Sequence, residues 1–221
     1  MHLNPEDGAK VAAAIRAAEA GTDGEISAVV AGSSDNYNDV VLHWALLVAL
    51  LPLAISAAWP HLLEWGVSLI SPWEAPSLRL ILTVLLVKVI AVFLIARYVI
   101  GLRAIRIALT PAATKQRRVR RRAIMLFRTG TEQRTLSTTG VLLYLSLAEH
   151  RAEIVADAAI HAKAPQEEWG EAMAALVAAM RDNRPGDGMA AAIERIGAVL
   201  ARHFPHTGTD PNEMPDRLIE L

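Results

Sequence analysis

Two apolar stretches decide the architecture of this chain: VVLHWALLVALLPLAISAAW at residues 40–59 and LILTVLLVKVIAVFLIARYVI at residues 80–100. The first contains no Asp, Glu, Lys or Arg, and the only charged residues of the second are Lys88 and Arg97. A helix needs about 20 apolar residues to cross the hydrocarbon core of a bilayer, and both stretches reach that length. Because a single short segment separates them, they are predicted to form a two-helix transmembrane hairpin.

The distribution of basic residues predicts the orientation of this hairpin. The loop at residues 60–77 has no Lys or Arg, whereas residues 115–122 read KQRRVRRR. Basic residues next to a span stay on the cytoplasmic side of the membrane. The loop is therefore expected outside, and both termini are expected in the cytoplasm. The first 30 residues contain no apolar targeting segment, so the expected location is the inner (plasma) membrane.

The rest of the chain is expected to form one folded domain. The sequence has 221 residues, a net charge of −1 and no Cys, which excludes disulfides, iron–sulfur clusters and thiolate catalysis. About 140 residues remain outside the hairpin, enough for one core. The predicted organisation is a discontinuous cytoplasmic domain (1–39 and 114–205), transmembrane helices (40–59 and 78–100), an external interfacial loop (60–77), a basic juxtamembrane segment (101–122) and an irregular C-terminal tail (206–221).

Outside the hairpin, the sequence predicts four helices and three strands. An Asn-Pro-Glu-Asp start predicts a first helix whose N-terminus the Asn4 side chain caps. Alternating apolar residues predict a strand at 25–31, and the continuous apolar run at 140–147 predicts a central strand covered on both faces. A returning strand is expected at 152–156. Because the strand at 25–31 cannot bury itself alone, it is expected to pair with the strands after residue 140. Three further helices are predicted. One lies at residues 114–127, one begins at residue 165, and the last ends at residue 204.

The run TGVLLYLSLAEHRAEIVAD at residues 139–157, preceded by a Gly-Glu-Ile strand and a helix, resembles the TPM domain family. The likeness covers residues 4–31 and 114–205, and the hairpin lies outside it. The resemblance implies an α/β fold, with helices on both faces of a small mixed β-sheet, here interrupted by the two-helix transmembrane hairpin. It also implies that some relatives are acid phosphatases and that some bind calcium through acidic loop residues.

Four carboxylates lie near the ends of the predicted strands: Asp23, Glu25, Glu149 and Asp157, with Glu153 close by. Two or three carboxylates that converge at one end of a sheet could hold Ca²⁺ or Mg²⁺, since hard cations prefer oxygen ligands. The alternative, which is favoured, is that these acids are solvated residues of turns.

The basic run contains Lys115, Arg117, Arg118, Arg120, Arg121 and Arg122. It is interpreted as a retention signal that also contacts anionic lipid head groups, where each cation contributes about 1 kcal/mol. Nucleic acid is not an expected partner, because no interleaved aromatic residues or known binding module accompany the charge.

Two unusual residues are expected within the bilayer: Lys88, which is charged, and Pro52, which disrupts helical hydrogen bonding. A charge at this depth is a functional candidate, since it costs a few kcal/mol. Pro52 lacks an N–H and leaves the carbonyl of Val48 without its helical donor. The Lys88 ammonium is therefore expected to bond backbone carbonyls near Val48. The alternatives are a water defect or an oligomer interface.

No catalytic motif stands out in the sequence: it has no Gly-rich phosphate loop, nucleophile elbow or metalloprotease helix. The favoured function is therefore a membrane-tethered binding or accessory module with an unknown membrane-protein partner. The second hypothesis is a phosphatase that uses a divalent metal held by the carboxylates, and the third is an anionic-lipid-binding module.

Overall fold

A computed structural model describes residues 4–69, 72–73, 77–130, 139–207 and 217–221. The chain forms two compact units. One combines Met1–Asp35 with Ala112–Leu221, and the other is Asn36–Pro111. The first unit is thus built from segments on both sides of the apolar stretches.

The first unit contains a mixed four-stranded sheet. Its strands are β1 (Glu25–Ala31), β2 (Gly140–Ser146), β3 (Arg151–Ala156) and β4 (Leu218–Glu220). Their order is β3-β2-β1-β4. β1 is parallel to both β2 and β4, and β2 is antiparallel to β3. The predicted pairing of the early strand with the strands after residue 140 is therefore confirmed.

Helices cover both faces of this sheet. On one face, Ile26, Ala28 and Val30 share a core with residues of α1 (Pro5–Glu19), α7 (Ala158–Lys163), α8 (Gly170–Arg181) and α9 (Pro185–His203). On the other face, Val29 and Ala31 pack with α6 (Ala112–Gly130). β1 and β2 are buried along their whole length, because they are central strands with helices on both sides. The predicted α/β fold, with helices on both faces of a mixed sheet, is confirmed.

The C-terminal tail differs from its predicted irregular state. Residues 218–220 form β4, whose position beside β1 is held by hydrogen bonds from Leu221 N to Val30 O and from Gly32 N to Leu221 O. Leu218 and Ile219 pack against opposite core faces. Three residues are too few for a strand pattern to be recognised in the sequence. The strand forms because the edge of β1 offers backbone groups with which residues 218–220 can pair. Residues 208–216 of the tail lie outside the described part of the chain.

Two local predictions also need correction. Asn4 occupies the cap position of α1, but its side chain makes no capping hydrogen bond. The helix expected from residue 165 begins as a 3-10 turn at Gln166–Trp169 and becomes α-helical at Gly170. A further helix, α7, was not predicted; it follows β3 directly and is only six residues long.

The second unit consists of α2 (Asn38–Ala58), α3 (Pro60–Ser68), α4 (Leu78–Gly101) and α5 (Arg103–Leu109). The start of α2 packs against the end of α4 through Val41, Ala45, Ala96 and Ile100, so the two helices are antiparallel. Small alanines allow this close approach. Both helices are long and apolar enough to span a membrane.

The predicted segment boundaries shift where the two units meet in sequence. The basic juxtamembrane segment, 101–122, is divided: α5 belongs to the second unit, whereas α6 starts at Ala112 in the first. The expected external loop, 60–77, contains α3, and its residues 70–71 and 74–76 lie outside the described part.

Candidate functional site

The sheet brings polar residues together at the carboxyl ends of β1 and β2. Because these strands are parallel, Ser33 and Ser34 after β1 lie beside Ser146 at the end of β2. Glu149 comes from the turn between β2 and β3 and joins them. This end of the sheet is the usual position of ligand sites in folds with parallel strands.

Glu149 is the centre of this polar group. One carboxylate oxygen accepts hydrogen bonds from Ser34 N (3.0 Å) and Ser33 Oγ (3.2 Å), and the other accepts a short bond from Ser146 Oγ. Glu149 is only 6% exposed. The favoured interpretation of Glu149 as a solvated turn residue is therefore wrong, because the carboxylate is buried and ties together the ends of two strands.

Tyr144 and Arg118 extend the group. The Tyr144 hydroxyl lies 2.9 Å from Ser34 Oγ, and burial raises the pKa of this phenol. Arg118 of α6 forms an ion pair with Asp35 at 2.8 Å. The loop after β1 is thus held both by the sheet and by the basic helix.

We expect Glu149→Ala to lower the free energy of unfolding by about 1–3 kcal/mol, because buried donors lose their acceptor. The matched control is Glu167→Ala, which removes an exposed carboxylate that forms no hydrogen bond or ion pair within the described residues. Its expected effect is within about 0.5 kcal/mol. Chemical unfolding of the detergent-solubilised protein measures both values. Equal effects of the two substitutions would contradict the structural role of Glu149.

Asp23, Glu25 and Asp157 lie at the opposite, amino-terminal end of β1 and β2. Asp157 is buried, and its Oδ2 accepts a hydrogen bond from Gly140 N at 2.7 Å. The Thr207 backbone N–H and hydroxyl both bond to Asp23, and these bonds lower the pKa of its carboxyl group. Asp157 and Glu25, which is only 6% exposed, therefore also differ from the solvated state expected for them.

The four predicted metal ligands do not meet at one place. Gly140, beside Asp157, and Ser146, beside Glu149, are six positions apart, which corresponds to about 20 Å along the strand. Glu149 therefore cannot share a site with the other three. Among the described residues, no group of three or more Asp, Glu or His side chains is placed to hold a metal ion.

The basic run, residues 115–122, lies mainly in the first half of α6. Val119 and Ala123 face the sheet, whereas Arg117, Arg120 and Arg121 are exposed. The remaining cations, Lys115, Arg118 and Arg122, are partly buried. The run is therefore an amphipathic helix of the domain, with its charge on the outer side.

Lys88 is not bonded as expected. Its side chain is exposed on α4, and within the described residues it forms no hydrogen bond or ion pair. Pro52 is buried on α2, and its carbonyl accepts a hydrogen bond from Ser56 Oγ at 2.7 Å. The predicted bond between Lys88 and the backbone near Val48 is therefore wrong, because the exposed side chain makes no such bond within the described residues.

A groove of about 820 Å³ runs along β3. The strand forms its floor, and α6 and α8 form its two walls. The lining includes arginines from three elements, Arg120, Arg151 and Arg181, together with apolar side chains such as Met173 and Val177. The groove leaves one edge of the sheet accessible to a partner.

Sequence reasoning missed the serines, Tyr144 and the groove. Ser33 and Ser34 lie in a polar loop without a motif, and nothing in that loop indicates that Glu149, more than 110 residues later, accepts their hydrogen bonds. Glu149 itself was identified from the sequence, because it lies in the turn that follows the buried strand β2. The edge position of β3 depends on strand order, which local sequence does not specify.

Two comparisons with known proteins give the family and the fold. The model of the TPM domain family matches residues 103–199. The structure is similar to the NMR structure of the BA42 protein from the psychrophilic bacterium Bizionia argentinensis, with a TM-score of 0.57 and 16% identity over 100% of this chain and 97% of that chain. No curated protein sequence matches the chain. The BA42 likeness supports the fold, and the family match confirms the resemblance found in residues 139–157: this chain contains a TPM domain.

Proposed function

We propose that this protein is a membrane-anchored binding module, in which α2 and α4 cross the inner membrane and the TPM domain holds a partner on the cytoplasmic side. The observation that carries the anchoring is the exposure of the apolar helices. In the most apolar 18-residue stretch of α2, only 28% is buried. In the corresponding stretch of α4, nothing is buried. A core helix of a soluble protein would instead be mostly buried. Large side chains left exposed include Leu46, Leu47, Leu50, Leu82, Leu86 and Ile90.

The binding role is supported by the arrangement of polar and charged groups in the TPM domain. The groove along β3 is open and carries arginines, whereas the candidate metal ligands are divided between two ends of the sheet. A phosphatase that relies on these four carboxylates together therefore has less support. The exposed cations of α6 favour contact with anionic head groups as an additional role, at about 1 kcal/mol each near a charged leaflet.

Cysteine labelling tests the proposed topology, since the chain has no natural Cys. We expect an impermeant maleimide to label His61→Cys, in α3, from outside intact cells. Gln116→Cys, in α6, should react only after the membrane is permeabilised. Both positions are exposed, so accessibility within the protein does not limit either reaction. The reverse labelling pattern would contradict the proposed orientation.

The binding role is tested by photo-crosslinking in native membranes, with turnover of para-nitrophenyl phosphate as the competing readout. A binding module should capture a partner and show no hydrolysis. Hydrolysis that requires Ca²⁺ or Mg²⁺ and is lost in Asp157→Asn would instead support the phosphatase hypothesis and reject the proposed function.

A further inference from the structure

The open edge of β3 presents unused backbone hydrogen-bonding groups. Asp157 N donates to Gly140 O, and hydrogen-bonded pairs alternate along an antiparallel ladder. Val155 and Glu153 therefore bond to β2, whereas Ala152 and Ile154 direct their N–H and C=O groups away from it. Within the described residues, the sheet has no strand beyond β3. Such an edge is a template for an additional extended strand.

The two walls beside this edge differ in chemistry. Glu153 and Val155 face the side of α6, which contributes Arg120, and Arg151 shares their face by the alternation of the strand. Ala152 and Ile154 face the core beneath α8, which contributes Met173 and Val177. One wall is therefore basic, and the other is mainly apolar.

The positive charge of the groove is only partly balanced within the lining, which contains three arginines and two glutamates. Arg120, Arg151 and Arg181 form no hydrogen bond or ion pair with any residue that the structure describes. Of the two acids in the lining, Glu149 already accepts bonds from Ser33, Ser34 and Ser146. Burial raises the pKa of Glu153, and the nearby guanidinium groups of Arg120 and Arg151 oppose this rise. The groove thus favours a ligand that carries carboxylates.

Trp169 adds an observation that does not depend on charge. This residue lines the groove and is only 5% exposed, and its indole Nε1 lacks a hydrogen-bond partner in the described part of the chain. An unsatisfied buried N–H costs about 1–3 kcal/mol. Because this N–H is itself buried, it is not presented to an added strand, and Trp169 contributes apolar surface to the lining of the groove.

We propose that the groove along β3 binds an extended acidic segment of a partner protein, which adds to the sheet as a fifth strand beside Ala152 and Ile154. This proposal rests on the proposed binding function and specifies its partner. Side chains of the added strand alternate between the two walls. Acidic residues therefore point to Arg120 and Arg151, and apolar residues point to Met173 and Val177. A second copy of this chain fits poorly, because it would bring a second set of arginines to the same edge.

The test uses the full chain in non-ionic detergent and a labelled eight-residue peptide of alternating Glu and Val. Fluorescence anisotropy should show saturable binding, at least tenfold weaker when Lys replaces Glu. Arg120→Glu should weaken binding of the Glu peptide at least tenfold. The matched control is Arg128→Glu, which makes the same charge change at an exposed position of α6 outside the groove lining. It should change the affinity less than twofold.

Backbone pairing is tested on the peptide, so that the protein remains intact. Only alternate N–H groups of an added strand face β3. N-methylation of one alternating set should abolish binding, and methylation of the other set should not. The proposal would be overturned if the Glu peptide did not bind the wild-type protein, or if the Arg120→Glu variant bound it with unchanged affinity. It would also be overturned if N-methylation of either alternating set weakened binding equally. Sedimentation as a dimer that Ile154→Pro dissociates would overturn it too, since a second copy would then occupy the edge.

Failure of this proposal can be separated from failure of the proposed function. If membrane crosslinking captures a partner at residues outside the groove, the binding role stands and the acidic-strand site is wrong. If crosslinking captures nothing and metal-dependent hydrolysis is found, the binding role itself is wrong.

Discussion

Leu47→Arg combined with Leu86→Arg is expected to abolish stable membrane insertion. The two leucines lie near the middle of α2 and α4 and are 56% and 60% exposed. On insertion scales, Arg at the centre of a spanning helix costs about 2.5–3.5 kcal/mol, whereas Leu contributes a few tenths favourably. Each substitution therefore shifts insertion by about 3–4 kcal/mol. α4 already contains Lys88, so it has little reserve for another charge.

Carbonate washing of isolated membranes measures this effect. Wild-type protein should stay in the pellet, and the double variant should be extracted or degraded. Met125→Arg, at a 45% exposed position of α6, is the matched control and should be retained like wild type. Lys88→Leu should be retained at least as well as wild type. Extraction of the wild-type protein itself would contradict the membrane assignment of both helices.

Leu143→Ala is expected to lower the free energy of unfolding of the TPM domain by about 2–5 kcal/mol. Leu143 lies in β2, is fully buried, and packs in the larger core of the sheet. Its truncation removes apolar contact and leaves a cavity between the sheet and the helices of this core, which cannot collapse easily beneath a central strand. Chemical unfolding in detergent measures the change.

Leu221→Ala makes the same substitution at a 54% exposed side chain and should cost less than about 0.5 kcal/mol. Because β1 pairs with β2, limited proteolysis of the Leu143→Ala variant should expose residues on both sides of the apolar helices together. A cost below about 1 kcal/mol, or cleavage confined to the part after residue 140, would contradict a single sheet built from both segments.

Much of the fold could be predicted because apolar patterning reports burial directly. β1 was predicted with its observed bounds, and the continuous apolar run of β2 indicated a strand covered on both faces. A partner strand after residue 140 was also predicted for β1, because β1 cannot bury itself alone. The strand β4 could not be predicted in this way, because three residues carry no periodicity and its position depends on an edge that exists only after folding.

The candidate site was harder to predict than the fold. The acids were identified correctly as residues at strand ends, but which end each occupies depends on strand direction. The antiparallel return of β3 places Asp157 beside Gly140 and leaves Glu149 at the other end of the sheet. The hydrogen bonds to Ser33 and Ser34 then follow from the parallel pairing of β1 with β2.

Local patterning was sufficient to predict the two apolar helices, the amphipathic basic helix and the central strands, because each depends on which residues avoid water over a short period. Which groups meet, in contrast, depends on how these elements pack together. Gly197 of α9, for example, lies so close to α1 that a Cβ there would be 2.5 Å from the Ala18 Cβ, a contact that local sequence does not reveal. The separation of the four carboxylates and the open edge of β3 likewise arise from strand order and direction, which are set by contacts between residues far apart in the chain.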